Sequence, residues 1–229
     1  EYGEHGRVVA ISDGLGAAAD PEGLSWKELL RLFKEGKSIA EFSPKLLSRR
    51  DGAFVIRADT AENVRIRNNL HFTAKADVFI PAGGRPYTVN DKNWQNFLAA
   101  DGTPTCRAVV EGANIFFTAG ARDQLQKKGV LIIKDSSANK TGVICSSYEI
   151  IASLTLSADE FLAIKGIYVQ PVIEILRQKA DAEAKLLFQE HGLQGEHKTL
   201  VELSMAISRQ INDVTDIILD ALTERQTEV

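Results

Sequence analysis

From Arg7 to about Leu156 short β-branched runs alternate with stretches of helical spacing, and beyond Leu156 only the helical spacing continues. The runs are Arg7 to Ser12 (RVVAIS), Ala53 to Ile56 (AFVI), Ala76 to Ile80 (ADVFI), Arg107 to Val110 (RAVV) and Gly129 to Ile133 (GVLII). They are nearly continuous in apolar residues, the pattern of parallel strands covered on both faces. Strands that alternate with helices pack as a parallel sheet. The expectation is an α/β domain over residues 1–156, with helices on both faces of the sheet, and an all-helical region over 157–229.

Helix starts are legible between the runs. Ser25-Trp26-Lys27-Glu28 spells a capping box, in which the serine and the glutamate reciprocally satisfy free backbone donors. Asn90 is placed to cap a helix through Trp94, Phe97 and Leu98. Thr118 is placed to cap one that stops at Lys127-Lys128-Gly129. Ser157 reads as an N-cap, and Val169 to His191 as one long helix with Pro171 in its first turn. Gly192 and Gly195 then break the pattern. A last helix, about Thr199 to Thr223, carries Leu200, Leu203, Ile207, Ile211, Val214, Ile218 and Leu222 on one stripe. Such a stripe is a seam against the same chain or a face for a partner.

With 44% hydrophobic residues in 229, the chain can bury a real core. The net charge of -4 gives no basic field, and Arg49, Arg50, Arg57, Arg65 and Arg67 have no aromatic residues interleaved. They read as solvated surface, against a nucleic-acid face. Two cysteines, Cys106 and Cys145, are too few for a disulfide framework and suit a reducing, intracellular setting. No apolar run reaches membrane-span length. No HExxH or CxxC metal spacing and no G-x-S-x-G elbow occurs, and His5, His71, His191 and His197 read as surface or packing residues. The first residue is Glu1, so the amino terminus of the protein is expected elsewhere.

In an open parallel sheet, ligands bind beyond the carboxyl ends of the strands. The first run ends at Asp13, a carboxylate that can take both ribose hydroxyls of an adenosine or can simply open the Asp13-Gly14 turn. Gly14 to Ala19 fits G-x-G-x-x-A, but Asp20-Pro21-Glu22-Gly23 precedes the helix, so it reads as a strand-to-helix turn rather than a phosphate loop. The third run exits through Pro81-Ala82-Gly83-Gly84, small residues that either let a dinucleotide lie against the backbone or form a tight turn. The fourth exits through Glu111-Gly112-Ala113-Asn114, where the asparagine can orient a carboxamide or cap a helix. The fifth exits through a polar loop, Lys134 to Val143, followed by Ser146-Ser147-Tyr148-Glu149, suited to a small carboxylate or to solvent.

Taken in order, these exits resemble the nucleotide-binding domain of glutamate dehydrogenases, within the Glu/Leu/Phe/Val dehydrogenase family. Ile11-Ser12-Asp13 and Asp20-Pro21-Glu22-Gly23-Leu24 match its S-D and D-P-x-G-L, and Asp77 to Pro81 match D-I-x-x-P. Glu111 to Asn114 are its E-G-A-N, and Asn139 to Glu149 match N-A-G-G-V-x-x-S-G-x-E, with Lys140, Thr141 and Ser147 as departures. Those departures, with G-G-R-P at 83–86 and K-D-S-S at 134–137, look like the large-subunit NAD-specific branch.

The resemblance implies a partial NAD-binding, Rossmann-like domain over 1–156 whose first phosphate-loop unit is missing. It implies that Asp13 sits by the adenosine ribose, Ala82 and Gly83 beneath the dinucleotide, Asn114 and Asn139 on the nicotinamide side, and Ser146 at a substrate carboxylate. It implies NAD as cofactor, L-glutamate, 2-oxoglutarate and ammonium as reactants, a homo-oligomer, and a mitochondrial or cytoplasmic setting. The family's catalytic lysine and aspartate are expected upstream, so no catalytic residue is assigned in this chain and it is expected to be inactive alone. A non-catalytic nucleotide-sensing module and a helical assembly module are the other classes weighed.

Overall fold

The computed structural model describes residues 6–193 and 197–227. His5 and Gly195 lie outside them. The chain divides into two compact units, Glu1–Phe79 with Asn93–Arg107, and Ile80–Lys92 with Ala108–Val229. The second unit thus holds both the last apolar run of the α/β part and the helical tail.

In the first unit β1 (Ala10–Ser12), β2 (Gly16–Ala19) and β3 (Phe54–Arg57) form a sheet in that order. Both pairings are antiparallel, with Ser12 opposite Ala17 and Ala19 opposite Phe54. This corrects two expectations: the first two runs, β1 and β3, are separated by an antiparallel strand rather than forming part of an all-parallel sheet, and Gly14 to Ala19 is a hairpin turn and a buried strand. Small residues make the strand possible. A Cβ on Gly16 would stand 2.3 Å from the Ile56 carbonyl oxygen and 2.6 Å from the Ala40 Cβ. Ala18 faces a core of Leu24, Leu32, Ile39 and Phe42, while Ala17 and Ala19 face Leu70, the two-residue period of a pleated strand.

Around this sheet lie α1 (Trp26–Lys34), α2 (Ala61–Thr73) and β4 (Ala76–Phe79). Ser25 precedes α1 but makes no side-chain cap. Glu28 is instead buried and committed to Arg31, at 2.9 and 2.7 Å, and to the Ser43 N–H at 3.1 Å. The helix expected around Trp94 is one 3-10 turn, Trp94–Phe97. Asn90 does not cap it, because its oxygen accepts from the Lys92 N–H. His71 is a packing residue, its ring 4.0 Å from Phe72 and 5.9 Å from Phe79. Arg67 departs from the solvated arginines: its Nη1 donates to the Gly14 carbonyl at 2.7 Å, across the β1–β2 turn.

The next strands are β5 (Cys106–Val110) and β6 (Leu131–Ile133). In the second unit β5 and β6 are parallel, with Ala108 opposite Leu131 and Val110 opposite Ile133. Between them α3 (Ala119–Lys127) is capped by Thr118, which accepts from the Ala121 N–H. After β6 come α4 (Asp135–Ala138), α5 (Lys140–Thr155), α6 (Ala158–Leu193) and α7 (Leu200–Thr227).

Ser157 and Glu160 form a full capping box at α6, so that helix starts well before Val169 and Pro171 lies inside it. Thr199 and Glu202 do the same at α7. The α7 stripe divides: Leu200 and Leu203 are buried with Leu187, and Ile207 packs beside them. Ile211, Val214, Ile218 and Leu222 are exposed. Among the described residues no helix is long and apolar enough to cross a membrane. No group of three or more His, Cys, Asp and Glu among them could hold a metal.

Candidate functional site

Three loops of the second unit are tied together where their strands end. The Ala113 N–H donates to the Pro81 carbonyl at 2.6 Å, joining the loop after β5 to the loop after β4. Gly112 permits that approach, since a Cβ there would stand 3.2 Å from the same carbonyl oxygen. The loop after β6 joins through Asn139, whose Nδ2 donates to the Asn114 Oδ1 at 2.5 Å and lies 3.4 Å from the Gly112 carbonyl.

The structure therefore brings together the two asparagines singled out from the sequence, and both contacts are exposed. Asn139 stands at the N-terminus of α5 and makes no side-chain cap there; its Nδ2 reaches Asn114 across the loops. Ala82 and Gly83 are exposed on the first loop, and a Cβ at Gly83 would meet nothing of the chain within 4 Å. Ser146 is exposed on α5, seven residues beyond Asn139. Seven residues are two helical turns, so it follows on the same face about 10 Å along.

Asp13 belongs to the first unit, at the β1–β2 turn. Its Oδ1 accepts from the Leu15 and Gly16 N–H groups and from Ser38 Oγ, and its Oδ2 accepts from the Ile39 N–H at 2.8 Å. Burial opposes the charge, but these donors outweigh it and hold the carboxyl below its ordinary value.

Beneath the asparagines lies a buried charge network that the sequence did not announce. Glu111 is 0% exposed and accepts both bonds of the Arg122 fork, at 2.6 and 2.8 Å. Burial pushes the Glu111 carboxyl up. Burial also opposes the Arg122 charge, but the bonds it donates to Glu111 overcome that and raise its pKa. The fork geometry is that of an ionised pair.

Asp135 lies 3.8 Å from Arg122 and 2.5 Å from Lys134. Around α4, Ser136 and Ser137 meet the buried Ser204 of α7 at 2.9 and 2.7 Å. Ser137 also donates to Glu183 of α6, and Lys140 binds both oxygens of that carboxylate at 2.9 Å. Glu111 stood in a recognisable motif, but its partner is eleven residues away in the next helix, a spacing with no local signature.

A family model described as Glutamate/Leucine/Phenylalanine/Valine dehydrogenase matches residues 2–192. The glutamate dehydrogenase 2 of Dictyostelium discoideum is 34% identical over 238 residues, covering 93% of this chain and 22% of that protein. The NAD-specific glutamate dehydrogenase of Saccharomyces cerevisiae is 33% identical over 238 residues, covering 91% and 21%. The chain thus spans about a fifth of the length of these relatives. The crystal structure of Plasmodium falciparum glutamate dehydrogenase matches with a TM-score of 0.57 at 14% identity, over 90% of this chain and 40% of that one, a likeness of fold. With the family match running through both units and all three loops, the chain belongs to the glutamate, leucine, phenylalanine and valine dehydrogenase family.

Proposed function

We propose that this chain is the cofactor-domain part of an NAD-dependent glutamate dehydrogenase, which deaminates L-glutamate oxidatively to 2-oxoglutarate and ammonium. The observation that carries the reading is the exposed Asn114–Asn139 contact at the mouth of three strand exits, beside open space over Gly83. A nicotinamide carboxamide offers the same donors and acceptor as an asparagine side chain. Binding would exchange one amide–amide bond for others of the same kind, at little net cost.

NAD, when bound, supplies the hydride acceptor. Asn114 and Asn139 orient its carboxamide end, Ala82 and Gly83 leave room for the backbone of the dinucleotide, and Ser146 donates to a substrate carboxylate. Among the described residues Oδ2 of Asp13 accepts from the Ile39 N–H alone, which leaves a lone pair for a ribose hydroxyl. The names of the yeast and Dictyostelium relatives support glutamate as substrate, and the yeast name supports NAD. The protein works inside the cell, in mitochondria or cytoplasm, as a homo-oligomer; the exposed second half of the α7 stripe supports self-association.

In the full-length protein, Asn114→Ala and Asn139→Ala are each expected to weaken NADH binding about tenfold or more, read by fluorescence titration. Ser146→Ala is expected to raise the KM for glutamate and spare NADH affinity. Wild-type NADH affinity in both asparagine variants would refute the reading. The 229-residue chain alone is expected to form no NADH from glutamate.

A further inference from the structure

Two residues other than glycine have positive φ among the described residues, Ile115 at 49° and Tyr87 at 56°. A side chain branched at Cβ rarely adopts this conformation, because it crowds its own backbone. Ile115 is 43% exposed, so packing does not force it there. Hydrogen bonds do. Its N–H donates to Asp135 Oδ2 at 2.8 Å, and its carbonyl accepts from the Tyr87 N–H at 2.8 Å.

Asp135 is itself buried and fully engaged. Its Oδ1 accepts from the Ser136 N–H at 2.8 Å and from Lys134 at 2.5 Å, and Arg122 stands 3.8 Å from Oδ2. One carboxylate rooted after β6 therefore fixes the loop after β5 and, through Ile115, the loop after β4. Asn114 is the residue before Ile115, and the Asn139 N–H donates to the Asp135 carbonyl at 2.9 Å.

We infer that Asp135 is a positioning residue for the Asn114–Asn139 pair: its buried carboxylate holds Ile115 in a strained conformation and so aims Asn114 at Asn139 and at the cofactor. The inference rests on the reading of that pair as cofactor ligands. It predicts that the need for Asp135 disappears when residue 115 can adopt a positive φ unaided, as glycine does.

The test is a double-mutant cycle in the full-length protein with D135A, I115G and the double variant, reading NADH affinity by fluorescence and amide protection at residue 115 by hydrogen exchange. D135A is expected to lose affinity about tenfold or more and to lose protection at Ile115. I115G is expected to bind normally, and the double variant to recover most of the affinity. Unchanged affinity in D135A, or an equal loss in D135A and the double variant, would overturn the role. If D135A does not fold, the same cycle runs with D135N, and additive losses again overturn it. N114A separates the two levels: normal NADH affinity there defeats the cofactor reading itself. A weak N114A beside a normal D135A defeats only the positioning role.

Discussion

Replacing Arg122 with methionine keeps an unbranched apolar stem and removes the guanidinium, leaving Glu111 at 0% exposure with no fork to receive it. Breaking a buried pair in this way costs about 3–5 kcal/mol at neutral pH, because the remaining charge is left uncompensated. At about 1.4 kcal/mol per tenfold, that is a loss of roughly 10²- to 10⁴-fold in protection.

The assay is native-state hydrogen exchange at the Glu111 amide, which is bonded to the Ile133 carbonyl at 3.0 Å and so reports opening of the β5–β6 pair. The pH dependence has a definite sign. Burial raises the folded-state pKa of Glu111 above its unfolded value of about 4.3, and R122M removes the bonds and charge of Arg122 that oppose the rise, so between those two values the folded variant holds a proton that the unfolded chain releases. Stability of R122M relative to the native chain is therefore best below that value and falls as pH rises through the raised one. E111L/R122M, with both charges gone, is expected to return to within about 1 kcal/mol of the native chain. A Glu111 amide that exchanges within threefold of wild type in R122M at pH 7.5, or a loss that does not vary with pH, would refute this account.

Three further outcomes follow from other parts of the molecule. Burial pushes His71 down to about 4, so between that value and about 6.5 the unfolded chain binds the extra proton, and stability falls as pH falls. His71→Phe should flatten thermal stability across that window, and an unchanged slope would contradict the assignment. Glu183→Ala leaves Ser137 and Lys140 without their shared acceptor; it should cost about 1–3 kcal/mol, read from amide exchange in α4 and α5, whereas Lys140→Ala should cost about 1 kcal/mol. Val214→Asp with Ile218→Asp should weaken self-association in sedimentation velocity while sparing helicity, since both residues are already exposed. Sedimentation identical to wild type would exclude this stripe as an assembly face.

The features legible in the sequence are those with a local physical cause. Thr118 before α3 and Ser157 before α6 act within one turn of themselves, and each caps where its spacing places it. The loops carrying Gly112, Asn114 and Asn139 were legible because they follow apolar runs that do form strands.

The β2 strand was not legible, because GAAA has neither β-branching nor alternation. It is a strand because Ile56, Ala40 and the two core clusters leave room for nothing larger. Glu28 failed as a capping residue because Arg31, one turn on, and the distant Ser43 amide make a better offer than the Ser25 N–H. The strain at Ile115 had no local sign, since its cause lies twenty residues further along, in Asp135.

The clasp around α4 changes what shortening this protein would do. A chain cut after Leu156 would forfeit Ser204 and Glu183, stranding two serine hydroxyls and the Lys140 ammonium in the segment that carries Asn139. Such a deletion would not strip away an appendage and spare the proposed cofactor surface. Any weakened dinucleotide affinity it produced would report the missing clasp as much as missing self-association, and point substitutions at Val214 and Ile218 separate the two.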